Sequence, residues 1–220
     1  MAQKILSPLQ KKLLDLFSEN ASLKQNFYLT GGTALAVYYL RHRYSEGLDF
    51  FSVNPIDFLE INVFIKNISG RLKIHKTDFQ QSYNRNIFFL HTPKKILKLE
   101  FTYFPFDQIE KPILKDGVLI DSLTDIAVNK AFTINQNPRA RDFIDLYLIL
   151  KKRKEFSFPK LIKMARSKFD YQIDPIQLGA QLLKAKDIAG LPRMFIRIKH
   201  NQWRNFFLKQ IEALSPQIFK

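Results

Sequence analysis

Cysteine is absent from the 220-residue sequence. Its absence excludes disulfides, thiolate nucleophiles, iron–sulfur clusters and cysteine-based zinc sites. Histidine is scarce as well, because only four are present and no two of them are close in sequence. A histidine-rich metal centre is therefore not expected, and any bound metal ion would be held by oxygen ligands.

Long apolar runs are also missing. The longest unbroken run, from Ala34 to Leu40, is about a third of the roughly 20 residues that a bilayer span requires. No apolar signal segment follows Met1. We therefore expect a cytoplasmic protein without a membrane partner.

Apolar and aromatic residues, by contrast, are plentiful. Hydrophobic residues make up 46% of the chain, and 21 residues are Phe. This composition supports a packed core and is not typical of disordered chains. The chain length fits one large domain or two small ones.

Positive charge is in excess and is unevenly distributed, with a formal net charge of +15. Residues 151–220 hold 16 Lys and Arg against 5 Asp and Glu, whereas residues 1–150 hold 19 against 15. Clustered positive charge attracts phosphate-bearing partners and gains free energy from counterion release. The basic part of the chain indicates a nucleic acid or an acidic protein as a partner, although a well-solvated basic helical surface would have the same composition.

Hydrophobic periodicity divides the chain into two halves. Ser7-Pro8 predicts a capped amphipathic helix that ends near Asn20. The other elements predicted in the first half are strands at 27–29, 48–51, 87–90 and 97–103, and helices at 33–41 and from Asn54-Pro55 towards Gly70. From residue 122 onward the pattern is helical: helices begin at Ser122 and Pro138, the later ones are punctuated by Pro159, Asp174-Pro175 and Leu191-Pro192, and the last lies around Trp203 to Leu214. We expect an α+β chain, with a mixed α/β domain at 1–117 followed by an all-helical, strongly basic domain at 118–220.

Three polar features of the first half are expected to meet. Gly31-Gly32 lies between a strand and a helix, where glycines let the backbone approach a ligand and helix N–H groups suit a phosphate. A tight turn that needs glycine dihedral angles would have the same sequence. Asp49 lies on one strand, and Glu100 lies on the polar face of another. Two carboxylates over one cleft suit Mg²⁺ bound to a nucleoside triphosphate.

Four blocks of sequence carry a family resemblance. They are Gly31-Gly32-Thr33-Ala34-Leu35, the segment from His42 to Phe51, Lys130, and the segment from Arg141 to Tyr147. Together, and in this order, they resemble the AbiEii-type nucleotidyltransferases of bacterial abortive-infection and toxin–antitoxin systems. The resemblance implies a DNA-polymerase-β-like nucleotidyltransferase fold with a helical C-terminal domain.

The same resemblance implies an activity and partners. The implied reaction is Mg²⁺-dependent transfer of a nucleoside monophosphate from an NTP to an RNA acceptor, and tRNA 3′ ends are the acceptor described for several members. The protein would act as the toxin, and a cognate antitoxin protein would be its partner.

The resemblance also implies roles for individual residues. Asp49 and Glu100 would be catalytic metal ligands, and Lys130 would bind the triphosphate and offset charge in the transition state. Asp142 and Asp145 are neighbours on one helix surface, where one of them would pair with Lys130 or Arg141 and the other would orient the nucleotide or the acceptor hydroxyl. Asp145 is the candidate for catalysis and Asp142 the candidate for nucleotide binding. The remaining nucleotide-binding residues would be Gly31, Gly32, Thr33, Arg43 and Ser45.

Several of these residues have an ordinary structural alternative. Lys130 would otherwise be a solvated helix lysine. Asp142 and Asp145 would otherwise be acids that the helix dipole favours in a first turn, or members of a structural ion pair. Arg43 and Ser45 would otherwise hold the turn before Asp49.

Position 47 departs from the family pattern. AbiEii-type proteins usually have Asp-x-Asp where this chain has Gly47-Leu48-Asp49, so the first carboxylate is missing. Residues i and i+2 of a strand face the same way, which is why Asp-x-Asp binds metal from one face. Glu46 would replace the missing ligand only if the backbone bulges or turns before Leu48.

The departure leaves three interpretations of the sequence. One is an active transferase, and another is a catalytically impaired relative that binds a nucleotide or RNA. The third, from a different class, is an interaction protein whose basic tail binds an acidic antitoxin.

Overall fold

The computed structural model describes residues 5–214, and the chain divides into two compact units, residues 1–122 and 123–220. The first unit is built on a seven-stranded mixed sheet. The second unit, as far as residue 214, contains helices and no β-strand. The α+β fold class predicted from the sequence is confirmed.

The sheet has the strand order β3-β4-β5-β2-β1-β7-β6. Its strands are β1 (Tyr28–Thr30), β2 (Gly47–Ser52), β3 (Lys76–Ser82), β4 (Arg85–His91), β5 (Ile96–Tyr103), β6 (Ile113–Lys115) and β7 (Val118–Ile120). β2 runs parallel to β5 and β1 runs parallel to β7, whereas the other neighbouring strands are antiparallel. β2 is the central strand, so Asp49 lies in the middle of the sheet.

The helices of the first unit, over its described residues, are α1 (Pro8–Glu19), α2 (Ala21–Asn26), α3 (Gly31–Ala34) and α4 (Phe58–Leu72). α1 begins as predicted, because the side chains of Ser7 and Gln10 form a capping box. The predicted helix at 33–41 is α3 followed by a π-helical segment, Leu35–Leu40. α4 begins at Phe58 rather than at Asn54-Pro55, because the Asp57 carboxylate accepts the first N–H groups of the helix.

Three strands of the sheet were not predicted. β3 is almost entirely exposed and polar, so it lacks the alternation that marks a half-buried strand. β6 and β7 have three residues each, too few to show a period. Because β7 pairs with β1, the expected boundary at residue 117 lies before the last strand of the sheet, and the observed division follows Ser122.

Stacked aromatic rings cover one face of the central strands. Phe17 of α1 stacks on Phe50 of β2 with ring centroids 4.1 Å apart, and Phe50 stacks on Phe101 of β5 at 5.5 Å. All three rings are fully buried. Since side chains alternate along a strand, the burial of Phe50 places Gly47 and Asp49 on the opposite face of the sheet.

The second unit contains α5 (Leu123–Gln136), α6 (Ala140–Lys152), α7 (Phe158–Phe169), α8 (Pro175–Leu183) and α9 (His200–Glu212). α5 follows Ser122 directly, as predicted, and α6 begins two residues after Pro138. Trp203 and Phe207 of α9 are fully buried, so these aromatic side chains belong to the core. Over residues 5–214, none of the helices combines the length and the apolar composition needed to cross a membrane.

Candidate active site

The register of two parallel strands brings the polar residues of the first unit together. Gly47 of β2 is opposite Lys98 of β5, and Asp49 is opposite Glu100. The four positions share the face of the sheet that lies opposite the aromatic stack. The sequence prediction that Asp49 and Glu100 lie side by side agrees with this register.

Glu100 is buried among cationic and hydroxyl donors. Its carboxylate accepts hydrogen bonds from Arg85 Nε at 2.7 Å and Nη2 at 2.9 Å, from Lys98 Nζ at 2.5 Å, and from Thr102 Oγ1 at 3.0 Å. Only 4% of the Glu100 side chain is exposed. Burial alone would raise the pKa of Glu100, but hydrogen bonds and charges from Arg85 and Lys98 outweigh burial and lower the pKa to about 2.

Asp49 is the more accessible of the two carboxylates, because 28% of its side chain is exposed. Lys98 Nζ lies 3.6 Å from Asp49 Oδ1. The other oxygen, Oδ2, faces the start of α3, since a Cβ built on Gly31 would lie 2.9 Å from it. Gly31 has φ +67°, so both its backbone conformation and this close approach require glycine.

Arg43 and Gly32 are packed against each other. A Cβ on Gly32 would overlap the Arg43 guanidinium. Arg43 is 2% exposed, and its Nη1 donates to the backbone carbonyl of Tyr44 at 3.0 Å. These contacts favour the turn-holding interpretation of Arg43, while its nucleotide-binding role stays a prediction.

The segment before Asp49 is fixed from two sides. The buried Thr33 hydroxyl donates to Gly47 O at 2.5 Å, and Gln10 Nε2 donates to Ser45 O at 2.8 Å. Thr33 therefore holds the first residue of β2, and Ser45 is held through its backbone. Glu46 is exposed, and β2 begins at Gly47 directly after it.

Asp49 and Glu100 are the predicted ligands of the divalent ion that the family resemblance implies. In the part of the chain that the structure describes, no group of three or more His, Asp and Glu side chains is arranged to hold a metal. Both oxygens of Glu100 are already bonded to cations, whereas Asp49 keeps an exposed portion. The residues therefore fit a single ion that Asp49 holds and that arrives already bound to another ligand. They do not fit an ion that bridges Asp49 and Glu100.

The predicted site residues of the second unit form a buried cluster of their own. Lys130 Nζ lies 2.6 Å from Asp142 Oδ1 and 3.0 Å from Asp145 Oδ2. The side chains of Lys130, Asp142 and Asp145 are 10%, 1% and 0% exposed. Lys130 is therefore not the solvated helix lysine of the alternative interpretation.

Asp142 has two functions in this cluster. One oxygen accepts from Lys130, and the other accepts the backbone N–H and the Nε of Arg139, both at 3.1 Å, at the start of α6. Burial alone would raise the pKa of Asp142, but the charges of Lys130 and Arg139 and their hydrogen bonds outweigh it and lower the pKa. Asp142 is thus both a capping residue and a partner of Lys130.

A model of one protein family matches nearly the whole chain. The family is the nucleotidyl transferase AbiEii toxin of type IV toxin–antitoxin systems, and the match extends over residues 14–219. The chain belongs to this family. It is also 32% identical over 156 residues to an uncharacterised protein of Aquifex aeolicus strain VF5, a match that covers 67% of this chain and 70% of that protein.

Two solved structures are similar to this AbiEii-family protein in fold. A candidate nucleotidyltransferase from H. pylori superimposes with a TM-score of 0.58 at 19% identity, covering 96% of this chain and 97% of its own. JHP933 from Helicobacter pylori has a TM-score of 0.55 at 20% identity, covering 96% and 93%. The predicted family and the nucleotidyltransferase fold are confirmed, and this member of the AbiEii family is a nucleotidyltransferase toxin.

Sequence reasoning missed two cations of the AbiEii site. Neither Lys98 nor Arg85 was among the predicted site residues. Lys98 lies two residues from Glu100, so the alternation of β5 carried a signal for its proximity. Arg85 reaches Glu100 only through the pairing of β4 with β5, which no local pattern reveals.

Proposed function

We propose that this AbiEii-family protein transfers a nucleoside monophosphate from an NTP to the 3′ end of an RNA, with tRNA as the acceptor. The observation that carries the proposal is the part-exposed Asp49 carboxylate on the central strand, next to Gly31 at the start of α3. A carboxylate there suits a hard divalent cation accompanied by phosphate oxygens. Family membership supplies the reaction class.

Asp49 would hold Mg²⁺, which would withdraw negative charge from the phosphates when it is bound. Asp49 is oriented by the backbone around it, because Thr33 and Gln10 fix the carbonyls that precede it. Glu100 supports the site from inside the sheet, since its carboxylate is bound by Arg85 and Lys98. Glu46, which is exposed, is the remaining candidate for an additional ligand.

Lys130 is the proposed contact for the triphosphate. A lysine ammonium has three N–H donors, and Asp142 and Asp145 account for two of them. The two carboxylates would fix the direction of the third donor. Asp145 is fully buried, so its proposed role is to position Lys130.

The charge distribution supports an RNA acceptor. Residues 151–220 carry 16 Lys and Arg and only 5 Asp and Glu. Lysine and arginine side chains bind the phosphates of a nucleic acid without recognising its base sequence. An antitoxin protein is the second partner that membership of a toxin–antitoxin family suggests.

The test is incorporation of labelled nucleotide into total tRNA. Purified protein is incubated with each of the four NTPs in Mg²⁺ or in excess chelator, alongside the variants Asp49→Asn and Asp15→Asn. Asp15 is a half-exposed carboxylate on α1 and serves as the matched control. We expect labelling that requires Mg²⁺, that is lost in Asp49→Asn and that is kept in Asp15→Asn. Full labelling by Asp49→Asn would contradict the proposal, and binding of an NTP without any labelling would favour the impaired relative.

A further inference from the structure

The ammonium of Lys98 lies between the two carboxylates of the first unit. Its Nζ is 2.5 Å from Glu100 Oε2 and 3.6 Å from Asp49 Oδ1. Lys98 is opposite Gly47 in the parallel pair, so its side chain crosses diagonally from position 47 towards position 49. A positive charge that belongs to the chain therefore lies where a bridging cation would contact both carboxylates.

Gly47 lies directly beside this side chain. A Cβ built on Gly47 would lie 3.5 Å from Lys98 Cβ, 3.7 Å from Lys98 Cδ and 3.2 Å from the Lys98 carbonyl oxygen. An aspartate at position 47 would extend from this Cβ on the face that the Lys98 side chain crosses. Position 47 thus lacks a carboxylate on the same face of the sheet where the Lys98 ammonium lies between Asp49 and Glu100.

The charges in this group balance without an added ion. Asp49 and Glu100 supply two negative charges, and Lys98 and Arg85 supply two positive ones. Arg85 is bound to Glu100 through two N–H groups, so Lys98 is the cation that contacts both carboxylates. An ion entering between them would have to displace Lys98 and would meet its repulsion.

We propose that Lys98 is the resident cation of this site: it takes the bridging position between Asp49 and Glu100, beside Gly47, which supplies no competing carboxylate. Free divalent ions are then excluded from the bridging position. An ion that arrives bound to an NTP brings phosphate oxygens, to which the displaced ammonium can donate. Lys98 thereby makes the metal–NTP complex, rather than the free ion, the species that Asp49 accepts. The inference deepens the proposed function and rests on it for the role of Asp49 as the ligand.

Binding of Mn²⁺ in the absence of nucleotide tests the proposal directly. Mn²⁺ is titrated into the full-length protein and the free ion is followed by its electron paramagnetic resonance signal. The variants are Lys98→Met, Gly47→Asp and the double variant. Lys76→Met is the matched control, because Lys76 likewise pairs with an acid two residues later on its strand, Asp78, at 2.9 Å.

Removal of the Lys98 charge is expected to tighten Mn²⁺ binding by about tenfold or more, since a unit charge within 4 Å repels the ion strongly. Gly47→Asp alone is expected to gain less, because the new carboxylate would pair with Lys98. The double variant should bind Mn²⁺ most tightly of all. Lys76→Met should leave the affinity unchanged.

Two outcomes would overturn the proposal. One is an unchanged Mn²⁺ affinity in a folded Lys98→Met protein, and the other is a full gain from Gly47→Asp while Lys98 is present. If Lys98→Met does not fold, the proposal is tested by comparing Mn²⁺ binding to the wild-type protein and to Asp49→Asn. Nucleotide-free Mn²⁺ binding that is about tenfold tighter in the wild type than in Asp49→Asn would show that Asp49 accepts free ions while Lys98 is present, and would overturn the proposal.

The proposed function can fail separately from this inference. Mn²⁺ affinities that follow the expected order, together with no labelling of RNA from any NTP, would retain Lys98 as the resident cation and reject the transfer reaction. Mg²⁺-dependent labelling of RNA, together with an unchanged Mn²⁺ affinity in Lys98→Met, would retain the transfer reaction and reject Lys98 as the resident cation.

Discussion

Thr33 and Gly47 are joined by a 2.5 Å hydrogen bond in which the buried Thr33 hydroxyl donates to the Gly47 carbonyl. The bond ties α3 to the first residue of the central strand, two residues before Asp49. Both residues belong to sequence blocks that resemble the AbiEii family, and their contact gives those blocks a shared structural purpose. The Gly-Gly-Thr sequence thus holds the strand that carries Asp49.

Thr33→Val tests this link. The substitution keeps the side-chain shape and removes the donor, so we expect the free energy of unfolding to fall by about 1–2 kcal/mol. Urea denaturation measures the change. Thr33→Ser keeps the hydroxyl and should lose less stability, and a Val variant as stable as the Ser variant would contradict the assignment.

Gly32→Ala tests the packing of Arg43 on α3. Because the new methyl group would overlap a guanidinium that is itself buried, we expect a loss of about 1–3 kcal/mol in unfolding free energy. Gly70→Ala is the matched control, since Gly70 is also helical and a Cβ there would meet nothing within 4 Å. That substitution should stabilise the protein by roughly 0.5–1 kcal/mol, the usual preference for Ala over Gly in a helix. Equal effects at the two positions would disprove the close packing of Gly32.

Lys130→Met is expected to destabilise the second unit strongly. It leaves the carboxylates of Asp142 and Asp145 buried without their shared cation, which typically costs about 3–5 kcal/mol. Adding Asp145→Asn to this variant removes one buried charge and should restore part of the loss. Lys209→Met on the exposed surface of α9 is the control and should change stability by less than about 0.5 kcal/mol. A Lys130→Met protein with wild-type stability in urea would contradict the buried cluster.

Stability at acidic pH should report on Glu100. Its pKa is lowered from the ordinary 4.5 to about 2, so the folded protein binds this proton less readily than the unfolded chain does. The stabilisation is therefore complete above pH 4.5 and is lost as the pH falls towards 2. The difference in unfolding free energy between wild type and Glu100→Gln should shrink by about 3 kcal/mol over this interval. A difference that does not depend on pH would show that Glu100 is not held in its charged form.

Local sequence signals predicted those parts of the fold that depend on local chemistry. Ser7 caps α1, Pro159 and Pro175 lie in the first turns of α7 and α8, and the alternation of β5 placed Glu100 on the polar face. The edge strand β3 was missed because an exposed strand has no buried face and therefore no alternating pattern. The late start of α4 was missed because Asp57 caps the helix more strongly than Pro55 opens it.

In the candidate site, too, part of the arrangement was predicted, and the contacts that depend on the pairing of several strands were missed. The sequence predicted that Asp49 and Glu100 would be neighbours, and the register of β2 and β5 places them opposite each other. Sequence did not predict that Lys98 and Arg85 bind Glu100, because those contacts depend on the register of three strands. Register is a long-range property of the sheet, so it is seen only when the strands are paired.

The pairing of β1 with β7 also constrains when the first unit can form during synthesis. Tyr28 of β1 is opposite Leu119 of β7 on one side and opposite Phe51 of β2 on the other. Phe51 is synthesised much earlier than Leu119. Because chains are made from the amino terminus, β1 stays an open edge until residues 118–120 have left the ribosome. Contacts that are so distant in sequence form slowly. A nascent toxin therefore cannot complete its central sheet until more than half of its chain has been translated.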